Sequence, residues 1–208
     1  LYMKKVSDIH AIKIIFFITA CYVGLWAIRI PTIKDQLQTD YIGVGYIMLS
    51  FAIGSIVAMI FANALILKTS TKTILTYTLI AEGCLWLPVP FIHELWIFMI
   101  FSFVFGMSYG AFEIACNVYA SNLEVREKKS MMSGFHAFWS LGVLFGSLIT
   151  SFFLELNYSF IFNILIYVII LLPLSIYFVL CLESQVEEKT EDSSKKNIFF
   201  MWPLIIFL

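Results

Sequence analysis

The sequence has little charge and few cysteines, and both shortages limit what the protein can be. Charged residues make up 13% of the 208 positions, whereas soluble domains carry about 25%. The net charge is −1, so no basic excess indicates binding to nucleic acid. The four cysteines lie in or beside apolar runs without a C-x-x-C spacing, which argues against a disulfide framework or a metal site. Nothing in the sequence indicates a cofactor.

Hydrophobic residues are abundant and make up 61% of the chain. They are concentrated in six runs, at residues 14–30, 41–67, 74–91, 95–121, 131–154 and 158–182. Each run reaches or approaches the roughly 20 residues that a helix needs to cross the hydrocarbon core of a membrane. Since backbone groups in lipid must bond within their own segment, we expect helices. The predicted fold class is an all-α polytopic membrane protein with six transmembrane helices and the start of a seventh.

The composition changes abruptly after residue 182, which divides the chain into three predicted parts. Residues 1–182 form the six-helix bundle. Residues 183–197 are polar and highly charged, which is typical of a solvated linker. Residues 198–208 are apolar again and predict the start of a seventh helix. Because the sequence begins with Leu and ends within this run, we expect a piece of a longer protein whose second bundle is missing, or the product of a degraded or mis-started gene.

Lysine and arginine predict the orientation of the helices. With the N-terminus in the cytoplasm, every basic residue except Arg29 and Lys34 falls on the cytoplasmic side, as the positive-inside rule requires. We therefore expect a multi-pass protein of a bacterial-type inner membrane, in contact with lipid, with a cytoplasmic N-terminus.

Small residues recur at intervals of four in two of the runs. They are Gly54, Ala58 and Ala62 in the second run and Gly142, Gly146 and Thr150 in the fifth. Faces of this kind let helix backbones approach closely in lipid. The similar positions of Phe51 and Gly54 in one run and Trp139 and Gly142 in the other indicate inverted repeats of helices 1–3 and 4–6, or arise by chance.

The fourth run carries an acidic residue far from either end. Gly106, Gly110, Glu113, Asn117 and Ser121 recur at steps of three and four, so they share one face of a helix. We expect this small, polar face to look into the bundle or an aqueous cavity. Desolvation disfavours a charged carboxylate at such depth. Glu113 is therefore predicted either to take up and release a proton during transport or to hold helices together through a paired partner.

Four further residues are candidates, each with a structural alternative. Asn117 either binds a polar solute or bridges helices. His136, which can change charge near neutral pH, either joins a proton path or packs as a hydrogen-bonding group. Arg29 either snorkels to the interface or binds an anionic or hydroxylated group and an inner acidic residue. Trp26 either anchors the helix at the interface or stacks on a sugar.

Three stretches resemble the major facilitator superfamily, and within it the fucose-permease-like branch. Residues 110–117 resemble the fourth-helix pattern G-x-x-[ED]-x-x-x-N, residues 133–142 the fifth-helix pattern F-H-x-x-[FW]-S-x-G, and residues 24–31 the first-helix pattern W-x-x-R-x-P. The resemblance implies two helical bundles that work by alternating access, with Glu113 at the position of a proton-carrying acid. Residues 63–73 lack the acidic position and second glycine usual in the superfamily, and the first run has no acidic residue. Fucose itself is therefore not the expected solute.

These features predict a secondary active transporter rather than an enzyme. We expect it to move a small polar, sugar-like solute together with protons, with Glu113 and His136 in proton coupling and Asn117, Arg29 and Trp26 in solute binding. One alternative is a truncated half-transporter without transport activity of its own. The other is an intramembrane enzyme, such as a six-helix serine protease, for which Ser108, Ser133, Ser140 and His136 are present but no G-x-S-x-G motif is.

Overall fold

The computed structural model describes residues 6–184, and this part of the chain is built from α-helices. They are α1 (Asp8–Gln36), α2 (Tyr41–Lys68), α3 (Thr71–Trp86), α4 (Leu95–Glu127), α5 (Met132–Glu155) and α6 (Phe160–Cys181). Together with the short 3₁₀ turn after α3, they give six segments long and apolar enough to cross a membrane, so the predicted six-helix fold class is confirmed. Apart from residues 183 and 184, the predicted linker and seventh helix lie outside the described residues.

The third and fourth helices end at different places from those predicted. α3 ends at Trp86 rather than near residue 91, because Pro88 and Pro90 have no backbone N–H to continue the helix. A 3₁₀ turn, Val89–Phe91, takes its place. α4 continues beyond residue 121 to Glu127 and ends at Lys128 in the left-handed conformation, with φ of 52°.

α1 and α5 form one closely packed pair of helices. Gly142 and Gly146 of α5 face the backbone carbonyls of Phe17 and Cys21 on α1, so that an added side chain at either glycine would collide with a carbonyl oxygen. The predicted small face of the fifth run is therefore the surface on which α1 lies.

α2 and α4 form a second pair of the same kind. Here Gly106 and Gly110 of α4 face the backbone of Phe51 and Ser55 on α2. The other main contacts are α3 with α4, α1 with α6 and α3 with α6. Exchanging α1 with α4, α2 with α5 and α3 with α6 converts these contacts into one another, which is the pattern expected of two related three-helix halves.

Candidate functional site

A cavity of about 250 Å³ lies between α1, α2, α3 and α4. This volume is just below the usual range of ligand pockets, about 300–1,000 Å³, and therefore suits a small solute. Six aromatic residues form most of its wall: Tyr22, Trp26, Phe51, Trp86, Phe105 and Tyr109. Ser102 contributes a hydroxyl, and Glu82 of α3 contributes the one acidic side chain of the lining.

Glu82 is buried in these apolar surroundings, with 7% of its surface exposed. The neighbouring groups with which it interacts are uncharged side chains of α1 and α4, among them Thr19, Tyr22, Tyr109 and Cys116. No lysine, arginine or histidine within residues 6–184 forms an ion pair with it. An ionised carboxylate without a counter-charge is costly at such a position, so this carboxyl is favoured when it holds a proton or a hydrogen-bonding ligand.

Two polar atoms on residues that line the cavity with Glu82 have no hydrogen-bond partner among the described residues. They are Tyr22 Oη and Trp86 Nε1, both of them buried. The rings of Tyr22 and Trp86 stack with centroids 6.0 Å apart, and Trp26 packs edge-on against Trp86 at 6.1 Å. Because buried polar groups are normally hydrogen-bonded, a cluster of this kind indicates a place where water or a solute completes the bonding.

Glu82 was not among the residues singled out from the sequence. The signal was nevertheless available, because Glu82 lies well inside the third apolar run, as Glu113 lies inside the fourth. Glu113 has small and polar residues at helical spacing on either side of it, and this pattern favours the fourth run as the site. Spacing along one helix, however, does not show which of two acidic residues a neighbouring helix covers.

Glu113 lies one turn beyond Tyr109 on α4, is half-buried and does not line the cavity. Its carboxyl interacts electrostatically with His136 of α5, which is exposed and packs its ring edge-on against Phe16 at 5.6 Å. The structure therefore brings the two residues predicted for proton coupling near each other, outside the cavity. Tyr109 interacts electrostatically with both Glu82 and Glu113 and is therefore near both carboxyls.

The helical face predicted around Glu113 has two kinds of surroundings. Gly106 and Gly110 are packed against α2, whereas Ser121 is exposed. Asn117 is half-buried, and its amide nitrogen donates to the backbone carbonyl of Glu113 at 2.9 Å, within α4. The face is therefore a helix-packing surface over its first turns and becomes open further along.

Trp26 and Arg29 of α1 lie in different surroundings although only three positions separate them. Trp26 lines the cavity. Arg29 is 2% exposed and does not reach the surface of the bundle. Its Nε donates to Asn163 Oδ1 at 3.1 Å, and its guanidinium carbon lies 5.2 Å from the ring centroid of Phe160. Within the described part of the chain no acidic side chain pairs with Arg29, and both Arg29 Nη2 and Asn163 Nδ2 lack partners.

The serines considered for protease chemistry do not bond to the ring of His136 in the described chain. The Ser140 hydroxyl donates to the backbone carbonyl of His136 at 3.1 Å, and the Ser108 hydroxyl is buried without a partner. Ser7 and His10 do bond, at 2.6 Å, but this is a local contact at the exposed start of α1. The arrangement offers no enclosed nucleophile and base.

A group of ion-paired side chains lies at the end of the bundle where α1 begins and α4 ends. Arg126 Nη2 lies 2.9 Å from Asp8 Oδ2, and Arg126 Nη1 lies 3.4 Å from Glu183 Oε2. The backbone N–H of Glu183 donates to Asp8 Oδ1 at 3.2 Å. Asp8, Arg126 and Glu183, here called the Arg126 cluster, join the start of α1, the end of α4 and the segment after α6.

Six helices long and apolar enough to cross a membrane, packed around a cavity with one buried acid, define a helical membrane protein. The family described as the Major Facilitator Superfamily matches residues 14–207, and the chain belongs to this superfamily of transporters.

Two curated relatives carry the same general description. The chain is 28% identical over 145 residues to an uncharacterized MFS-type transporter of Yersinia pestis, covering 68% of this chain and 37% of the relative. It is 25% identical over 141 residues to an uncharacterized transporter of Sinorhizobium fredii, covering 64% of this chain and 35% of the relative. The matched part therefore spans little more than a third of either relative. No solved structure matches the chain significantly.

Proposed function

We propose that the chain supplies the solute-binding half of a secondary active transporter that moves a small polar, sugar-like solute together with protons. The observation that carries this proposal is the cavity, in which a buried carboxyl and unpartnered polar atoms lie among aromatic faces. Aromatic faces pack against the C–H face of a sugar ring, while a few convergent polar groups fix its orientation. The presence of Trp26 in the cavity wall supports the stacking role proposed for it.

Proton movement is proposed to use the two carboxyls with which Tyr109 interacts. Glu82 faces the cavity, Tyr109 interacts with Glu82 and Glu113, and Glu113 interacts with His136. These contacts support a route from the cavity to the exposed imidazole, in which Glu113 and His136 carry the coupling role predicted from the sequence. Symport of solute and proton is the corresponding mode of transport.

A second bundle is proposed as the partner that completes the cavity. α2 and α5 expose large apolar side chains, including Ile60 at 59% and Leu148 at 60%. Such surfaces suit lipid or another group of helices. Alternating access would then rock the two bundles about the solute, with the N-terminus cytoplasmic in a bacterial inner membrane.

The test is uptake by sealed proteoliposomes that contain the chain together with the C-terminal bundle of a relative, across an imposed pH gradient, acidic outside. We expect saturable accumulation of at least one labelled neutral sugar from a broad set, and its loss when a protonophore is added. Accumulation that is unaffected by the protonophore would remove proton coupling from the proposal.

The second candidate is a half-transporter that binds solute without moving it. The short coverage of both relatives favours this candidate. It predicts saturable sugar binding with no accumulation, both in these vesicles and in vesicles that contain the chain alone.

A further inference from the structure

The cavity contains its own acidic residue, which lies apart from the acid that the fourth-helix pattern indicated. Glu82 lines the cavity, whereas Glu113 does not. Both side chains have the same functional group, but only Glu82 shares the cavity wall with the unpartnered Tyr22 Oη and Trp86 Nε1. A solute in the cavity therefore meets Glu82 first.

The donors and acceptors around Glu82 restrict the chemistry of that solute. The Trp86 N–H can only donate a hydrogen bond, whereas the hydroxyl of Tyr22 can donate or accept. A hydroxylated ring satisfies both groups and the carboxyl, because each of its hydroxyls both donates and accepts. A simple ammonium ion only donates and would leave the Trp86 N–H unbonded. An anion finds no basic side chain in the lining.

The ring faces add a requirement on shape. Tyr22 and Trp86 are stacked on each other, so their mutual contact fixes both rings, and Trp26 lies edge-on to Trp86. This arrangement presents flat apolar surface beside the polar atoms. A solute with an apolar face and a hydroxylated edge matches it.

We propose that Glu82, with Tyr22 and Trp86, forms the subsite for a neutral hydroxylated ring, and that Glu82 is the carboxyl whose protonation controls its binding. The inference rests on the proposed transport function for its biological setting and deepens it by naming the subsite. The protonated carboxyl donates to one ring hydroxyl and accepts from another. When Glu82 loses its proton to water, a bare carboxylate is left in an apolar wall and the solute is released.

No described charge opposes this assignment. The groups facing Glu82 are Cys21 and Tyr22 of α1 and Tyr109 and Cys116 of α4. None of them is a base that would hold Glu82 as a permanent ion pair. Of these groups, Tyr109 also interacts electrostatically with a second acid, Glu113.

The first experiment measures binding to the complete chain in lipid nanodiscs by tryptophan fluorescence, since Trp26 and Trp86 line the cavity. The probes are a panel of neutral hexoses, pentoses, methyl glycosides and cyclic polyols, with tetraphenylphosphonium as an apolar cation. We expect at least one neutral member to give a saturable signal whose affinity falls as the pH rises. Absence of such a signal across the panel overturns the proposal, as does Glu82-dependent binding of the cation alone.

Matched variants assign the effect to one carboxyl. Glu82→Gln is expected to retain binding and to remove its pH dependence, whereas Glu82→Leu should weaken binding tenfold or more. Glu155→Gln, the same substitution at the exposed end of α5, should leave the pH dependence of binding intact. Trp86→Phe keeps a ring but loses the N–H, and we expect a loss of about fivefold to tenfold, the effect of one hydrogen bond. If Glu113→Gln rather than Glu82→Gln removes the pH dependence, the assignment is wrong.

A second measurement uses the unaltered chain and so does not depend on variants that fold. Dicyclohexylcarbodiimide adds to protonated carboxyls in apolar surroundings, and mass spectrometry of the labelled chain identifies the modified residue. We expect modification at Glu82 that the bound sugar prevents. Modification confined to Glu113, or unaffected by the sugar, contradicts the proposal. Neither experiment requires transport, so binding without uptake rejects only the transport function, and uptake unaffected by Glu82→Leu rejects only the subsite.

Discussion

Among the described residues two acids are buried, Asp8 and Glu82, and their surroundings are opposite in kind. Asp8 is 5% exposed, and it has a cation 2.9 Å away and a backbone N–H at 3.2 Å. Glu82 is 7% exposed, and no cation within residues 6–184 pairs with it. A buried polar group that is paired and hydrogen-bonded holds together the helices that carry the partners. A buried polar group without a counter-charge can still bond to a ligand. Stability and binding are therefore expected to depend on different acids.

The largest effect on stability is expected at the Arg126 cluster. Arg126→Leu removes the cation from Asp8 and leaves a buried carboxylate uncompensated. Fully buried pairs broken in this way lose about 3–5 kcal/mol. Because Arg126 is 42% exposed and solvent screens the pair, we expect a smaller loss of about 2 kcal/mol in the free energy of unfolding. Titration with sodium dodecyl sulfate, followed by circular dichroism, measures it.

Lys129→Leu provides the matched control for that experiment. Lys129 lies in the same loop, is exposed, and forms no ion pair with a residue of the described range. Its replacement should change the unfolding free energy by less than about 0.5 kcal/mol, as is usual for surface positions. Equal effects of the two substitutions would show that the Arg126 cluster contributes nothing specific.

A smaller effect is expected where Arg29 meets Asn163, because this buried cation is only partly satisfied. Asn163→Leu removes the acceptor of the 3.1 Å bond from Arg29 Nε. The contact of the guanidinium with Phe160 remains. An unsatisfied buried donor costs about 1–3 kcal/mol, so we expect a loss near the lower end of that range. The double variant Arg29→Met with Asn163→Leu should recover part of this loss in the same titration; no recovery would contradict a coupling between the two side chains.

The sequence supports the fold better than the site, and the reason lies in what periodicity measures. The thickness of the membrane and the cost of unpaired backbone determine the number of helices, so apolar length alone identifies them. Gly142 and Gly146 likewise indicate close packing, because only small residues permit it. The spacing of residues along one helix, however, does not show which other helix packs against that face. Gly110 and Glu113 share a face in the sequence, yet α2 covers the glycine and leaves the acid beside His136.

Glu82→Leu is expected to change the unfolding free energy in the opposite direction from Arg126→Leu, or not at all. Replacing a buried, unpaired carboxyl with an apolar side chain removes a desolvation cost rather than an attraction. We expect the unfolding free energy to stay unchanged or to rise by about 1 kcal/mol, the gain common when a functional polar group is removed. The same variant should lose sugar binding. A loss of stability as large as that of Arg126→Leu would mean that Glu82 holds the helices together.

The smallest effect on stability is expected for Tyr22→Phe, which removes one of the unpartnered atoms beside Glu82 and keeps the ring stacked on Trp86. Since Tyr22 Oη makes no hydrogen bond within residues 6–184, the change should alter the unfolding free energy by less than about 0.5 kcal/mol. Thr150→Val is the contrasting substitution, because its hydroxyl bonds to Tyr167 Oη at 2.9 Å in an equally buried place. It should destabilise the bundle by about 1 kcal/mol. If Tyr22→Phe destabilises the bundle more than Thr150→Val does, the Tyr22 hydroxyl already has a structural role. It would then not be free to bond a solute.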